Sequence, residues 1–419
     1  MTVANASASQ ATRAAAPDAA PTLNWWQRLR WRPTSHTEGV FKERQLLDLL
    51  QRNYEQSDVK VGPGKQDFMH TVTATADVPG APPFVAIPGY GSGSAFLWKL
   101  FDGLSSACNL YAIDLLGTGL SGRPPFKARN TAEAEEFFVT SLDAWRREQG
   151  LEKMVLMGHS MGGYLSACYA LKHPDRVQHL ILMCPAGVGK QPDDWQPPAS
   201  LQNPWTVRGQ LFRFATRAWD WGVTPGSLIR GLGPWGPRMA AGYCRSRFTK
   251  QQQMTDEEVA IFGAYHYHTV AAPGSGEHAL RHILAPFAWP RSPLEDRMRH
   301  LQVPTTFIYG EHDWMDVKAA RRLTAAMAQQ RAPKFASDLK VLVTQDAGHY
   351  PAIDQPGSVL LQLAQTCESY LPPAAKQAML VAAQRQPFHG VVRTDSASAM
   401  AAELAYSPMQ AAAREASEL

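Results

Sequence analysis

The feature that most constrains the fold is the segment KMVLMGHSMGGY, residues 153–164, in which one serine stands between glycines at G-x-S-x-G spacing. MVLM is an apolar run of strand length, and YLSACYALKH after the glycines has a helical pattern. A strand, a tight turn and a helix in this order predict a nucleophile elbow that exposes Ser160. We expect Gly158 and Gly162 to be required because a side chain at either position would clash where strand and helix approach.

Apolar runs of strand length alternate with helical segments over most of the chain. Near-continuous apolar strands separated by helices are typical of a mainly parallel sheet with helices on both faces, which predicts the α/β class. HTVTATA predicts an early edge strand, and residues 37–56 predict an amphipathic helix. Further helices are predicted over residues 131–148, from Val317 and from Gly357. The predicted core strands are PFVAIP, NLYAID, KMVLMG, HLILMC, TTFIYG and LKVLVT.

Residues 187–300 interrupt this alternation with a stretch rich in Trp, Pro, Arg and Gly. A structureless loop of that length is implausible inside a compact domain. We therefore predict an inserted helical cap over the carboxyl ends of the strands, where ligands bind in open α/β sheets. An insertion that only packs against the core is the alternative. The core then comprises residues 37–186 and 301–371.

Composition narrows the class of protein. The net charge of +4 does not suggest a nucleic-acid binder. Five scattered cysteines, without a CxxC or Cys/His cluster, predict free thiols and no structural zinc. Residues 1–24 are predicted to be a disordered leader, with an organelle transit peptide as the alternative. Residues 372–419 are predicted to be a mostly disordered tail, with weak helix as the alternative.

A serine hydroxyl is a weak nucleophile and needs a base and an acid that orients the base. In sheets with a nucleophile elbow the chain order is serine, carboxylate, histidine. His349 follows the last predicted core strand and is the expected base. Asp313, after TTFIYG, is the first choice for the acid, and Asp316 is the alternative. The carboxylate that is not used would be a helix-capping residue.

Acyl transfer also requires hydrogen-bond donors for an oxyanion. The backbone N–H of Met161, directly after the serine, is expected to be one donor. The N–H of Tyr90, in the loop PGYGSGS after PFVAIP, is expected to be the second. Gly89 and Gly91 on either side would let this backbone turn towards the serine.

These motifs resemble the α/β-hydrolase fold family, and within it the lipid-acting branch that includes the CGI-58 protein (ABHD5), ABHD4 and their plant and yeast homologues. The resemblance extends over residues 25–370. It is carried by YAIDLLGTGLSGRP, DAWRREQGLEKM, GHSMGGY, YALKHPDRVQHLIL, YHTVAAPGSGE, YGEHDWMD and GHYPAIDQP.

The resemblance implies further roles and two departures. His349 and Asp354 match an H-x4-D pattern shared with lipid acyltransferases, although Asp354 could equally hold the backbone of its loop. Many relatives have His where this chain has Pro88. The CGI-58 protein has Asn at the nucleophile position and is a lipase co-activator, whereas this chain keeps Ser160.

The resemblance leaves the identity of the acid open. CGI-58 and ABHD4 match Asp316, while the wider family pattern matches Asp313.

The expected activity is serine-dependent hydrolysis or transfer of acyl groups of phospholipid, lysophospholipid or acylglycerol. No cofactor or metal is expected, and acyl-CoA is a candidate co-substrate. The expected location is the cytoplasm, on a membrane or lipid-droplet surface, with organelle targeting as an alternative. A lipase or droplet-coat protein is a candidate partner. The other functions kept open are a non-catalytic lipase co-activator and a soluble carboxylesterase for small esters.

Three further groups of residues have alternative interpretations. The peptide LNWWQRLRWRP, residues 23–33, carries three tryptophans and three arginines, and the segment 25–36 is predicted to dock on a lipid surface, because indole rings favour headgroups and arginines favour anionic lipid. His266 and His268 form an H-x-H pair without an apparent third metal ligand. Arg245 and Arg247 are candidates for binding a phosphate headgroup or for simple solvation. The residues that predict docking are Trp25, Trp26, Trp31, Arg28, Arg30 and Arg32.

Overall fold

The computed structural model describes residues 34–249, 253–330 and 338–386, together with the backbone of residues 393–394. In these residues a nine-stranded sheet has the order β1-β2-β4-β3-β5-β6-β7-β8-β9. Strands β4 to β8 and β3 run parallel, while β1, β2 and β9 are antiparallel to their neighbours. The strands are β1 Glu55–Lys60, β2 Phe68–Ala74, β3 Pro83–Ile87, β4 Asn109–Ile113, β5 Met154–His159, β6 Val177–Met183, β7 Thr305–Gly310, β8 Leu339–Thr344 and β9 Arg393–Thr394.

Helices cover both faces of the sheet and form the insertion between β6 and β7. Short 3₁₀ segments connect several of them, such as Ser94–Leu100 after β3. The α-helices are α1 His36–Leu47, α2 Phe101–Ser105, α3 Thr131–Glu148, α4 Met161–Lys172, α5 Ala199–Gln202, α6 Val207–Asp220, α7 Pro225–Gly231, α8 Gly236–Phe248, α9 Asp256–Ala271, α10 Leu280–Ile283, α11 Leu294–Arg297, α12 Val317–Gln329, α13 Pro351–Asp354, α14 Pro356–Thr366 and α15 Pro373–Gln384.

The core consists of one apolar layer on each face of the sheet. Successive residues of a strand point to opposite faces, and β3 shows this directly. Phe84 and Ala86 belong to one buried cluster, and Val85 and Ile87 belong to the other. Because β3 is buried on both faces, its sequence is continuously apolar rather than alternating. The predicted α/β fold with a mainly parallel sheet is confirmed.

Two predictions near the amino terminus are wrong. The helix expected over residues 37–56 ends at Leu47, and residues 55–60 instead form the edge strand β1. After the helix, the Asp102 carboxylate accepts hydrogen bonds from the backbone N–H groups of Gln51 and Arg52, which holds the chain in a non-helical course towards β1. As a result HTVTATA is not an edge strand, since β2 pairs with β1 on one side and with β4 on the other.

The segment from residue 372 needs a partial correction. Residues 373–384 form helix α15, which is packed on the domain and is more than the weak helix that was the alternative to disorder. Ala375, Met379 and Ala383 repeat at four-residue spacing, and all three are buried in the core cluster. This short apolar stripe packs the helix onto the domain, even though most of its other residues are small or polar.

Several predictions concern residues outside the described part of the chain. They are the leader over residues 1–24 and the Trp/Arg-rich segment 25–36 as far as residue 33. Trp25, Trp26 and Trp31 therefore stay predictions. Among the described residues, no helix has both the length and the apolar character needed to cross a bilayer.

Candidate active site

Ser160 stands at the turn between β5 and α4 with an unusual backbone. Its φ of 53° and ψ of −121° lie in a region where the backbone of any residue other than glycine is strained. Neighbouring glycines make this turn feasible. A Cβ on Gly162 would lie 2.3 Å from the Pro88 carbonyl oxygen, and one on Gly158 would lie 2.3 Å from the Gly162 carbonyl oxygen. The predicted need for glycine at both positions is confirmed.

The structure brings Ser160, His349 and Asp313 into one hydrogen-bonded row. His349 Nε2 is 3.0 Å from Ser160 Oγ, and His349 Nδ1 is 2.8 Å from Asp313 Oδ1. The Asp313 side chain is 1% exposed and that of His349 is 12% exposed. The N–H of Met315 also donates to Asp313 Oδ1, at 3.2 Å. In this geometry the carboxylate fixes the imidazole so that Nε2 faces the serine hydroxyl.

Asp316 is not part of this row. It precedes α12, where its Oδ1 accepts a hydrogen bond of 2.9 Å from the Lys318 N–H. Its side chain is 50% exposed. The side chain therefore caps a helix, which is the role expected for the carboxylate that does not face the histidine.

The loop after β3 lies against the serine. A Cβ on Gly89 would lie 2.8 Å from Ser160 Cβ and 3.4 Å from its Oγ, so only glycine permits this approach. Gly91 has a φ of +67° and turns the chain after Tyr90. Met161 begins α4 directly after the serine, where helical N–H groups have no intrahelical partner.

The Tyr90 side chain links this loop to the cap. Its hydroxyl accepts a hydrogen bond of 3.4 Å from the N–H of Gly226 in α7. Burial and the nearby charge of Glu277 raise the pKa of Tyr90 to about 12. Arg230 of α7 binds Glu277 through both guanidinium nitrogens, and the Thr224 hydroxyl donates to the same carboxylate. This buried ion pair joins two segments of the cap next to Tyr90.

His159 is a site residue that the sequence analysis missed. Its Nε2 lies 2.7 Å from the backbone carbonyl oxygen of His349, so Nε2 carries the proton and donates. Burial and repulsion from His349 lower the pKa of His159 to about 3. The ring is thus a neutral hydrogen-bond donor that holds the His349 backbone. Its position next to Ser160 was the signal available in the sequence.

Asp354 ties the histidine loop to the cap. Its Oδ2 accepts a hydrogen bond of 2.8 Å from the Gly348 N–H, directly before His349. The same carboxylate binds Arg247 of α8, with Nη2–Oδ2 and Nη1–Oδ1 distances of 3.0 and 3.3 Å. The Arg247 guanidinium also stacks 5.5 Å above the Tyr350 ring. Of the two interpretations of Asp354, this geometry favours the structural one.

Three other cap residues singled out in the sequence are Arg245, His266 and His268, and the two histidines pack against protein groups. Arg245 is exposed, in contrast to Arg247. The His266 ring packs against Phe96, and His268 Nδ1 lies 3.0 Å from the Thr34 hydroxyl. Burial lowers the pKa of both histidines to about 4.

A buried charged cluster lies behind the loop after β3. Glu43 of α1 and His70 of β2 are fully buried, and their Oε2 and Nε2 atoms are 2.7 Å apart. His70 Nδ1 also lies 2.8 Å from Asp58 Oδ1. Burial alone would lower the pKa of His70, but the charge of Glu43 and hydrogen bonds to both carboxylates raise it to about 10. Glu43 and His70 therefore form a buried ion pair.

This cluster reaches the loop and the cap through Ser94. The Ser94 hydroxyl donates to Glu43 Oε1 at 2.8 Å, and its N–H donates to Asp114 Oδ1 at 2.6 Å. The hydroxyl of Tyr265, in α9, donates to the same Glu43 oxygen at 3.3 Å. Burial and the charge of Glu43 raise the pKa of Asp114 to about 7. One buried carboxylate thus joins α1, the loop and the cap.

Two more residues, Cys184 and Trp314, lie next to the row of Ser160, His349 and Asp313, and no pattern in the sequence indicated their position. Cys184 follows β6 with a φ of 45°, and burial and the nearby Asp313 carboxylate raise the pKa of its thiol. Trp314 is 52% exposed, and its ring centroid lies 5.2 Å from that of His349. All five cysteines are free, as expected, and the structure shows that all five are buried.

Comparisons with known proteins agree with this architecture. A family model described as alpha/beta hydrolase fold matches residues 82–218. The chain is 36% identical over 367 residues to 1-acylglycerol-3-phosphate O-acyltransferase of Arabidopsis thaliana, covering 83% of this chain and 84% of that protein. It is 33% identical over 346 residues to (lyso)-N-acylphosphatidylethanolamine lipase of Homo sapiens, covering 80% and 93%.

Solved structures resemble the chain in fold. Naproxen esterase (carboxylesterase NP) from Bacillus subtilis superposes with a TM-score of 0.51 at 18% identity, covering 78% of this chain and 96% of that chain.

Proposed function

Because the chain belongs to the α/β-hydrolase family, in the branch whose relatives are named as lipid lipases and acyltransferases, we propose that it is a serine acyl hydrolase or acyltransferase of lipid esters. The observation that carries this proposal is the row Ser160–His349–Asp313, with hydrogen-bond distances of 3.0 and 2.8 Å. A nucleophile, a base and an orienting carboxylate in hydrogen-bond reach form the arrangement that acyl transfer requires.

In the first step, Ser160 Oγ attacks the acyl carbonyl carbon while His349 Nε2 accepts the hydroxyl proton. The N–H groups of Met161 and Tyr90 stabilise the negative oxygen of the tetrahedral intermediate. His349 then gives its proton to the leaving alcohol or thiol, which leaves an acyl group on Ser160. Asp313 keeps the imidazole oriented and stabilises its positive form.

In the second step, an acceptor attacks the acyl-serine while His349 takes its proton, and His349 then returns this proton to Ser160 Oγ as the bond between that oxygen and the acyl carbon breaks. Water as the acceptor gives a fatty acid, and a lipid hydroxyl gives a new ester. A phospholipid, lysophospholipid or acylglycerol is the proposed acyl donor for hydrolysis, and acyl-CoA is the proposed donor for transfer to lysophosphatidic acid. Asp354 and Arg247 support this site by fixing the loop that carries His349.

Ser160 argues against a purely non-catalytic co-activator, because its strained backbone and its contact with His349 serve an exposed nucleophile. The proposed location is peripheral, on a membrane or droplet surface, since lipid esters are gathered there. A lipase or droplet-coat protein stays a proposed partner.

The test compares the full chain with its Ser160→Ala variant on a panel of phospholipid, lysophospholipid and acylglycerol, with and without acyl-CoA, read by mass spectrometry. The wild type should turn over at least one lipid ester and should react with a fluorophosphonate probe. Ser160→Ala should lose both properties while keeping its melting temperature. Ser200→Ala, at an exposed position in the cap, is the matched control and should behave like wild type.

The outcomes separate the alternatives. Lipid turnover by Ser160→Ala at the wild-type rate would overturn the nucleophile assignment. Activity confined to small soluble esters would instead indicate a carboxylesterase. A folded wild type that neither reacts with the probe nor turns over lipid would indicate a non-catalytic role.

A further inference from the structure

The outward side of the cap exposes large apolar side chains over several consecutive elements. Trp205 is 89% exposed and Val207 is 86% exposed, at the start of α6. Leu211, Phe214 and Trp221 follow, with 65%, 61% and 69% exposure. Large apolar side chains this open are unusual in such number on one element of a folded domain.

The spacing places these residues along one face of α6. Val207, Leu211, Phe214 and Trp221 recur at intervals of four, three and seven residues, which is the period of one helical stripe. The opposite face of α6 packs on the cap, where Trp219 Nε1 donates to the Leu284 carbonyl at 3.2 Å. The buried residues of α6 are Gly209 and Ala218, so the row is open to solvent at Val207, Leu211, Phe214 and Trp221 and is covered at Ala218 between them.

Basic side chains flank the outward stripe. Arg208, Arg213 and Arg217 are exposed on α6. Among the described residues, none of the three lies within ion-pair distance of a carboxylate, whereas Arg291 nearby approaches Asp220 at 4.0 Å. An apolar stripe bordered by unpaired positive charge complements a surface that is apolar inside and anionic at its rim.

We propose that the outward face of α6, with Trp205 and Trp221 at its two ends, docks the enzyme on an anionic lipid surface. The apolar side chains enter the boundary between headgroups and acyl chains, and the arginines contact lipid phosphates. Leu228 and Trp235, each 60% exposed in the following cap elements, extend the apolar surface beyond α6.

This inference rests on the proposed function for its choice of occupant, since a lipid surface is where the substrate lies. It differs from the docking predicted for residues 25–36, because it concerns a helix that the cap already positions. A protein partner would instead be expected to pair the arginines with carboxylates, and a second copy of this face would bring like charges together.

The test measures co-sedimentation of the full chain with vesicles in the Ser160→Ala background, so that binding is read without turnover. The vesicles contain either phosphatidylcholine with phosphatidylserine or phosphatidylcholine alone. The variant Leu211→Ser/Phe214→Ser/Trp221→Ser should weaken binding to both kinds of vesicle by about thirtyfold or more. The control Leu49→Ser/Val381→Ser replaces exposed apolar residues outside the cap. It should change vesicle binding by less than about twofold, which is about the error of the assay.

A second variant, Arg213→Ala/Arg217→Ala, separates charge from apolar contact. It should weaken binding to the anionic vesicles by roughly tenfold and leave binding to pure phosphatidylcholine unchanged. Unchanged vesicle binding by the triple variant would overturn the proposal, as would a wild-type dimer that the triple variant converts to a monomer in light scattering. Because these assays need no catalysis, failure of the proposed chemistry would leave their result intact.

Discussion

The arginines on the two sides of the cap differ in whether they are paired with a carboxylate. On the side facing the core, Arg230 binds Glu277 and Arg247 binds Asp354, and both carboxylates are nearly buried. On the side facing the solvent, the α6 residues Arg208, Arg213 and Arg217 make no ion pair within the described residues. On the first side, the Arg247–Asp354 pair ties the cap to the loop of His349 and the Arg230–Glu277 pair joins two segments of the cap, while charges on the second side are free to meet a surface.

The comparison shows that residue type and closeness in sequence do not determine what a charge does. Arg245 and Arg247 are two residues apart on α8, yet one is exposed and the other contacts the loop of His349. Asp313 and Asp316 differ in the same way after β7. The following four predictions test this contrast between buried, partnered charges and exposed ones.

The largest effect is expected at the two carboxylates after β7. Asp313→Asn should lower kcat on the order of 10⁴-fold, because it disturbs the orientation of His349 and the stabilisation of its positive form. Asp316→Asn should change kcat by less than about threefold, since it weakens a helix cap and an exposed ion pair with Arg322 at 3.8 Å. Steady-state kinetics on one ester substrate provide the measurement. A larger loss from Asp316→Asn would transfer the acid role to that residue.

The next effect concerns stability. Arg230→Ala leaves Glu277 buried without its cation, which should lower the free energy of unfolding by about 3–5 kcal/mol. Arg213→Ala, on the exposed side, should change the free energy by no more than about 0.5 kcal/mol. Chemical denaturation followed by fluorescence measures both values. Equal values would show that the Arg230–Glu277 pair does not hold the cap.

Arg247 and Arg245 give the corresponding test at the histidine loop. Arg247→Ala removes the cation from Asp354 and should lower kcat by roughly tenfold to a hundredfold, because a small shift of His349 misaligns the base. Arg245→Ala should leave kcat within about twofold of wild type. The assay should use a small soluble ester, so that any role in surface binding does not enter. Identical rates for the two variants would contradict the role given to Arg247.

The smallest effect is a dependence of stability on pH. The pKa of His70 is about 10 in the folded protein and about 6.5 in an unfolded chain. The stabilisation from its positive charge is complete below pH 6.5 and is lost as the pH rises towards 10. The free energy of unfolding should therefore fall by about 1 kcal/mol or more between pH 7 and 9. Glu43→Gln removes the main attraction and should flatten this slope in denaturation curves, whereas an equal slope in both proteins would argue against the ion pair.

Much of the fold could be predicted because its signals are local and repeated. Each apolar run from PFVAIP to LKVLVT became a strand of the sheet, since a buried parallel strand requires continuous apolar residues. β1 was missed because EQSDVK is polar and mostly exposed, so its position depends on pairing with β2 rather than on its own composition. Helix α15 was predicted only as weak helix in a mostly disordered tail, because its apolar stripe is only three residues long.

The sequence was enough to predict which residue types form the candidate site, but not which side chains pair with one another. The elbow spacing and the order of the chain predicted Ser160 and His349, which the structure brings within 3.0 Å. The choice between Asp313 and Asp316 depends on three residues of loop geometry that no pattern records. The pairing of Arg247 with Asp354 joins positions more than 100 residues apart, and only the packing of the cap on the core creates it.

The position of the cap between two neighbouring strands also bears on how the chain is made. β6 ends at Met183 and β7 begins at Thr305, so their pairing waits for roughly 120 residues of intervening chain. At a synthesis rate of about 5–20 residues per second, the nascent sheet would display the open apolar edge of β6 for about 6 to 24 seconds. An unpaired edge of this kind invites pairing with other chains. The insertion that packs against the loops of Tyr90 and His349 therefore prolongs the time during which the growing chain is prone to aggregate.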